Sequence, residues 1–351
     1  MRIGIIGLGR IGTMHARNLA QNPNVEQVIL IGRDQGRLES AFELVKAALK
    51  PGAPVELAGE FPGDRTPAEV GVTTYLDEAL HCLDGLVIAT TTESHPDLVR
   101  RAVNIGLPTL VEKPIALEPA EIVELAEELD AYDTPVMVAF QRRYDAGYQR
   151  LRQHVLDGDV GTLRLVRANG HDHHPLNLDY IPVSGGVWRD LMVHDFDIIP
   201  WVTGERVVRV HAVGTVLDEP TYERYGDADT AVALLTLESG AFATVSGIRH
   251  NGAGHDVRLE IFGTKNTFSV GLDAKTPVIS TEPGMAEPSS THDEFFNRFE
   301  SAFRNEVDHF TKVIRGEAEN LTPPREGLAA IGTALAAEES CRTGKPVDLV
   351  T

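Results

Sequence analysis

After its first methionine the chain reads Arg2-Ile3-Gly4-Ile5-Ile6-Gly7-Leu8-Gly9-Arg10-Ile11-Gly12, and this stretch decides the fold. Arg2 to Ile6 has the apolar character of a buried strand. Gly7, Gly9 and Gly12 follow as G-x-G-x-x-G, at the point where a helix would start. The first glycine permits a tight turn, the second lets the backbone approach a pyrophosphate, and the third allows close helix packing. Backbone N–H groups at the helix start then face the anion. The expectation is a dinucleotide site built from Gly7, Gly9, Arg10, Ile11 and Gly12. A glycine turn without ligand is the alternative.

Working outward, short apolar runs alternate with helical patterns as far as about residue 117. Gln27 to Ile31, Gly85 to Thr90 and Thr109 to Glu112 read as strands without period-two alternation, as parallel strands covered on both faces do. Helices are expected over Gly12 to Asn22, Gln35 to Leu49, Asp77 to Cys82 and Ser94 to Gly106, the last with Ser94 as N-cap. This is an α/β domain with a doubly wound parallel sheet. Lys50 to Val72, rich in Pro and Gly, reads as a surface insertion ahead of a short strand near Val72.

A helix Pro119 to Tyr132 and a strand Pro135 to Phe140 lead into a different regime. Strands are expected over Leu163 to Ala168, Arg206 to Val216, Ala231 to Leu237, Ala241 to Ile248 and Val257 to Phe262. Val208, Val210 and Ala212 alternate with Arg209, His211 and Val213, the pattern of a sheet with one face on helices. Helices Asp293 to Arg315 and Pro324 to Thr343 finish the chain. At 351 residues two domains are expected. We place them at 1–120 and, as an α+β domain with a large open, mainly antiparallel sheet, at 121–351.

Composition narrows the function classes. The formal charge is −20, from 52 Asp+Glu against 32 Lys+Arg, with no segregated basic patch, which disfavours nucleic acid and anionic membranes as partners. No run of about 18 apolar residues offers a transmembrane helix. The strand-like start leaves no room for a secretory leader, so a cytoplasmic protein is expected. Cys82 and Cys341 lie far apart, which excludes a disulfide framework and a thiolate zinc site.

The end of the second strand, Gly32-Arg33-Asp34, normally carries an acid for the adenosine ribose. Here Gly32 leaves space, Arg33 is placed to pair with a 2′-phosphate, and Asp34 is a candidate ribose acid. The balance leans to NADP over NAD, with Arg33 as a solvated helix-entry charge the alternative. Lys113, one of only seven lysines, sits in Glu112-Lys113-Pro114 at the carboxyl end of a parallel strand, where ligands bind in open α/β sheets. An ammonium there donates to a substrate hydroxyl and favours a developing alkoxide.

In Gly185-Gly186-Val187-Trp188-Arg189-Asp190-Leu191-Met192-Val193-His194-Asp195-Phe196-Asp197 a helix would put Asp190, His194 and Asp197 on one face. A carboxylate that orients an imidazole makes a general base near neutral pH. A structural Asp–His pair is the alternative. His171-Asp172-His173-His174 lacks metal-ligand spacing, so no metal is assigned and substrate contact is favoured.

The glycine loop, Glu112-Lys113-Pro114 and the Gly185-Gly186…Asp190…His194…Asp197 segment, in this order, resemble the Gfo/Idh/MocA oxidoreductases over nearly the whole chain. Met14-His15-Ala16, Ser94-His95-Pro96 and Gly344-Lys345-Pro346-Val347 support it. Gln141-Arg142-Arg143-Tyr144-Asp145, Tyr180-Ile181-Pro182-Val183-Ser184-Gly185-Gly186 and His194-Asp195-Phe196-Asp197 look most like inositol 2-dehydrogenases.

The resemblance implies a Rossmann domain, NAD or NADP as cofactor, and oxidation of a secondary hydroxyl of a cyclitol or sugar. It implies Lys113, Asp190 and His194 as catalytic residues. Arg142, His173 and Asp197 would join them in binding substrate, and Thr90, Thr91, His95, Glu112 and Lys113 would line the cofactor. A non-catalytic dinucleotide-binding regulator and an NAD-dependent glycoside hydrolase of the same fold are the competing readings. The exposed sheet face leads us to expect a homodimer or homotetramer.

Overall fold

The computed structural model describes residues 1–50 and 67–349. It divides into two units, Met1–Tyr144 with Ser301–Leu328, and Asp145–Glu300 with Ala329–Thr351. In the first unit, β1 (Arg2–Ile6), β2 (Gln27–Ile31), β3 (Glu69–Thr73), β4 (Gly85–Ile88), β5 (Thr109–Val111) and β6 (Val136–Val138) form one sheet. Every pairing is parallel, in the order β3-β2-β1-β4-β5-β6. This is the Rossmann order, in which the chain reverses direction across the sheet between β1 and β4 and opens a crevice at their carboxyl ends.

Helices Arg10–Ala20, Gln35–Ala48, His95–Asn104 and Pro119–Leu129 link the strands, within two residues of expectation at each start. The core joins Ile3, Ile5, Val28, Leu30, Val87, Leu110 and Met137 to Leu19, Leu38 and Val45.

The boundary expected at residue 120 is corrected on two counts. β6 adds to the parallel edge of the sheet by pairing with β5. The helix Glu300–Ile314 brings Val307, Phe310 and Val313 into this same core. Its expected span, Asp293 to Arg315, is broken into Phe295–Arg298 and Glu300–Ile314. Of the insertion expected over Lys50 to Val72, residues 51–66 lie outside the described residues, and its last residues enter β3.

The second unit is built on β7 (Leu163–His171), β8 (Val207–Thr215), β9 (Thr230–Leu237), β10 (Phe242–Ile248), β11 (Asp256–Gly263), β12 (Thr267–Val270) and β13 (Val347–Asp348), ordered β12-β11-β7-β10-β9-β8-β13. All pairs are antiparallel except β7 with β10. Alternation sends Val210, Ala212, Ala233, Leu235, Ala243, Val245, Leu259 and Ile261 inward. Val213, Val232, Leu234 and Phe242 stay exposed on the other face. The helix Val193–Thr203 lies on β7 and against the helix Ala146–Leu156. The latter was not foreseen, although Asp145 caps it, its Oδ1 accepting from Gly147 N at 2.8 Å and Tyr148 N at 3.2 Å.

Candidate active site

The glycine loop has the sterics its pattern demands. Gly7 adopts φ +92°, and a Cβ there would lie 2.3 Å from the Ala89 carbonyl. A Cβ on Gly12 would come within 1.8 Å of the Gly7 carbonyl oxygen. Gly9 differs, with nothing within 4 Å of a Cβ built on it. It stands as N-cap of the helix Arg10–Ala20 with no side-chain cap. An open backbone facing uncapped helix-start amides is a cradle for an anion, so the residues fit the pyrophosphate of a dinucleotide.

At the exit of β2, Asp34 caps the helix Gln35–Ala48, Oδ1 accepting from Arg37 N at 2.8 Å, while Arg33 is exposed. The carboxylate considered for the ribose therefore serves the next helix. At the exit of β4, Ser94 does not cap its helix. Its hydroxyl turns back, 2.7 Å from Thr90 Oγ1 and 2.9 Å from the Thr91 carbonyl oxygen. His95 is buried, with Nδ1 2.8 Å from the Pro114 carbonyl oxygen and Nε2 3.2 Å from that of Thr90. Burial lowers its pKa against the opposing pull of both carbonyls and Glu112. It thus braces the Lys113-Pro114 turn, whose peptide bond is cis.

Glu112 faces the glycine-loop helix, its Oε1 2.8 Å from Nε2 of the wholly buried His15. Lys113, the next residue, is half-buried. Within reach of the Glu112 charge is a group the sequence did not single out: Glu306, wholly buried, with neither carboxyl oxygen hydrogen-bonded among the described residues. Burial first, and the Glu112 charge second, raise its pKa well above the usual carboxylate range. Arg142 is buried in the 3₁₀ turn Gln141–Tyr144.

In the second unit, Gly185 (φ +90°) and Gly186 (φ +81°) turn the chain into Val187–Leu191, which is a π-helical turn. Asp227 secures it, Oδ1 accepting from Val187 N at 2.7 Å. After a break at Met192 the α-helix Val193–Thr203 begins. The expectation of Asp190, His194 and Asp197 along one continuous helix is therefore corrected. His194 and Asp197 share the α-helix, and Asp190 comes from the π turn, a device common at functional sites. Asp197 is buried and His194 half-buried.

Asp190 is gripped from two sides. Its Oδ2 accepts from Arg249 Nη1 at 2.9 Å, and the Tyr180 hydroxyl lies 3.4 Å from its Oδ1. Burial, then the Asp190 charge, pushes the Tyr180 phenol up. Arg249 is 1% exposed and also lies 3.8 Å from Asp172 Oδ2, while His255 Nδ1 lies 3.6 Å from Asp172 Oδ1.

Arg249, Tyr180, Asp172 and His255 thus complete a cluster that the sequence reading did not assemble. One signal was available: Ala243, Val245 and Gly247 point inward on β10, and Arg249 continues that parity, a charge where an apolar residue belongs. His171 ends β7, Nε2 2.9 Å from Ser246 Oγ, and burial lowers its pKa. His173 Nδ1 and His174 Nε2 each lie 2.9 Å from Asp293 Oδ1.

Residues 1–140 match the oxidoreductase family with NAD-binding Rossmann fold, and residues 148–269 match the GFO/IDH/MocA C-terminal domain. A myo-inositol dehydrogenase of Streptomyces leeuwenhoekii is 33% identical over 347 residues, 98% of each chain. The crystal structure of a myo-inositol dehydrogenase from Corynebacterium glutamicum superposes with TM-score 0.84 at 28% identity, over 100% of this chain and 99% of that one. That of scyllo-inositol dehydrogenase from Lactobacillus casei, with bound NAD(H) and scyllo-inositol, gives 0.80 at 26% identity, over 99% and 98%. The fold and the glycine cradle define a dinucleotide-binding oxidoreductase. The chain belongs to the Gfo/Idh/MocA oxidoreductase family.

Proposed function

We propose that the protein is a cyclitol dehydrogenase, oxidising one secondary hydroxyl of an inositol or a related polyol to a ketone. The observation that carries this reading is Asp190, a carboxylate held between Arg249 and Tyr180 a few residues ahead of His194. A regulator that only senses a dinucleotide has no use for such a cluster, nor for a half-buried lysine at the carboxyl end of β5.

Gly7, Gly9, Gly12 and the first amides of the helix Arg10–Ala20 would hold the cofactor pyrophosphate. When bound, the nicotinamide supplies the hydride acceptor. His194 takes the hydroxyl proton on an imidazole nitrogen, with Asp190 supporting the charge that results. The Lys113 ammonium donates to the same oxygen and stabilises its developing negative charge. The C–H bond electron pair leaves carbon with its hydrogen as hydride, and the C–O bond becomes the carbonyl. His95 and Glu112 keep the lysine turn in place. Arg142, His173 and Asp197 bind the remaining hydroxyls.

For the cofactor we propose a preference for NADP. Asp34 serves as a helix cap and Arg33 stands exposed at the exit of β2, so the position carries a cation for a 2′-phosphate. We also propose that the exposed face of the second sheet joins copies of the chain. His194→Ala and Lys113→Met test the chemistry. Each is expected to lower kcat by at least about 100-fold while the cofactor still binds, and unchanged turnover in either refutes the assigned role.

A further inference from the structure

Arg249 emerges from the end of β10 into the interior of the second unit, and its main-chain N–H donates to the Asp229 carbonyl at 2.8 Å. Its guanidinium is buried among three acids. Nη1 lies 2.9 Å from Asp190 Oδ2 and 3.8 Å from Asp172 Oδ2, and the Asp227 charge also acts on it. A buried cation is tolerated only with such partners, because an isolated one would forfeit several kcal/mol of hydration. Nε and Nη2 have no hydrogen-bond partner among the described residues. The guanidinium is therefore placed for charge rather than for a saturated set of hydrogen bonds. Asp172 in turn is held by its own backbone, N donating to the Ile248 carbonyl at 2.8 Å and O accepting from Asn251 N at 2.6 Å.

We propose that Arg249 is a positioning residue for the dehydrogenase reaction: shared between Asp190 and Asp172, its guanidinium fixes the Asp190 carboxylate and tempers the negative charge that this carboxylate presents to the base His194. The inference rests on the catalytic reading of Asp190 and His194. A carboxylate with no cation beside it would raise the basicity of a neighbouring imidazole and leave it protonated at neutral pH, useless as a proton acceptor. Arg249 offsets part of that charge, and Asp172 limits the offset by taking some of the guanidinium's field.

Tyr180 reaches Asp190 from the segment before the π turn, His255 reaches Asp172 from the start of β11, and Tyr222 is buried nearby. Burial raises the Tyr222 phenol, with Arg249 opposing and Asp227 and Asp172 adding to the rise. Both phenols are therefore neutral in the range where the base titrates.

The test is the pH profile of kcat/KM for the dehydrogenase with saturating cofactor, whose acidic limb reports the base. Arg249→Gln removes a positive charge and is expected to move that limb to higher pH by about one pH unit. Asp172→Asn removes a negative charge and is expected to move it to lower pH. Arg249→Lys, which keeps the charge, is expected to hold the limb at the wild-type pH even with reduced kcat. A packing role alone would lower kcat without moving the limb in opposite directions.

If Asp190→Asn keeps wild-type kcat/KM, the catalytic reading of Asp190 falls, and this proposal with it. If Asp190→Asn loses at least about 100-fold while Arg249→Gln and Asp172→Asn leave the limb unmoved, the catalytic reading stands and the role of Arg249 is overturned. Should Arg249→Gln fail to fold, Asp172→Asn and Arg249→Lys decide on the same criterion. An unmoved limb in Asp172→Asn, or a displaced one in Arg249→Lys, contradicts the proposal.

Discussion

His15 and Glu112, 97 positions apart in sequence, meet at 2.8 Å inside the first unit. The bond ties the helix that follows the glycine loop to the turn that carries Lys113. The glycine loop and the turn of Lys113 are thereby tied by one buried contact, with His95 bracing the same turn through the Pro114 carbonyl. The His15 ring also meets Phe303 edge-on at 6.1 Å, which extends the contact to the helix Glu300–Ile314.

Glu306 on that helix gives a pH signature to stability. Its raised pKa in the folded state means that it favours folding where it is protonated in both states. The contribution fades as pH rises from the ordinary carboxylate range toward the raised value. Glu306→Gln removes the need to hold that proton. The variant is expected to match wild type in Tm near pH 5 and to exceed it by at least about 2 °C near pH 8, roughly 1 kcal/mol. Calorimetry at the two pH values checks this, and a deficit for the variant at the higher pH contradicts it.

Gly9 and Gly12 separate binding from folding. Gly9→Ala places a methyl in open space, so Tm without cofactor is expected to stay within about 1 °C of wild type. Cofactor Kd is expected to rise at least 10-fold, about 1.4 kcal/mol, because the methyl occupies the pyrophosphate cradle. Gly12→Ala collides with the Gly7 carbonyl and is expected to lose stability as well. Thermal melts with cofactor titration distinguish the two.

Much of the first unit was legible because its signals are local. A strand, a glycine loop and a helix start lie within Arg2 to Gly12, and each glycine meets the obstruction or the open space its place implies. The late return of Glu300–Ile314 to this core was not legible, since an amphipathic helix shows that it packs but not on what. In the second unit the Asp190 to Asp197 spacing suggested one helix, because i, i+4 arithmetic assumes α geometry. The paired left-handed glycines Gly185 and Gly186 instead lead into a π turn that redirects Asp190 toward Arg249. Arg249 itself is separated from Asp190 by 59 positions, and only the inward parity of β10 hinted at its burial.

The proposed NADP preference rests on Arg33. Arg33→Asp replaces a partner for a 2′-phosphate with a repelling charge and supplies an acceptor for ribose hydroxyls. The ratio of kcat/KM for NADP to that for NAD is expected to fall by at least about 10-fold, the worth of one charge-assisted hydrogen bond. An unchanged ratio removes Arg33 from the cofactor site.

The proposed assembly rests on the exposed face of the second sheet. Val213 and Val232 pair across β8 and β9, with Leu234 two residues on, all exposed. Leu234→Lys is expected to shift sedimentation from dimer or tetramer to monomer. A wild-type protein that sediments only as monomer contradicts this surface.

Nicotinamide reduction, followed by absorbance while a panel of inositols and sugars is offered with NADP and with NAD, tests the central claim most directly. The account predicts turnover with at least one inositol, dependent on both substrate and cofactor, with a ketone as product. Tight cofactor binding with no reduction by any polyol would contradict it and make the protein a dinucleotide-binding regulator.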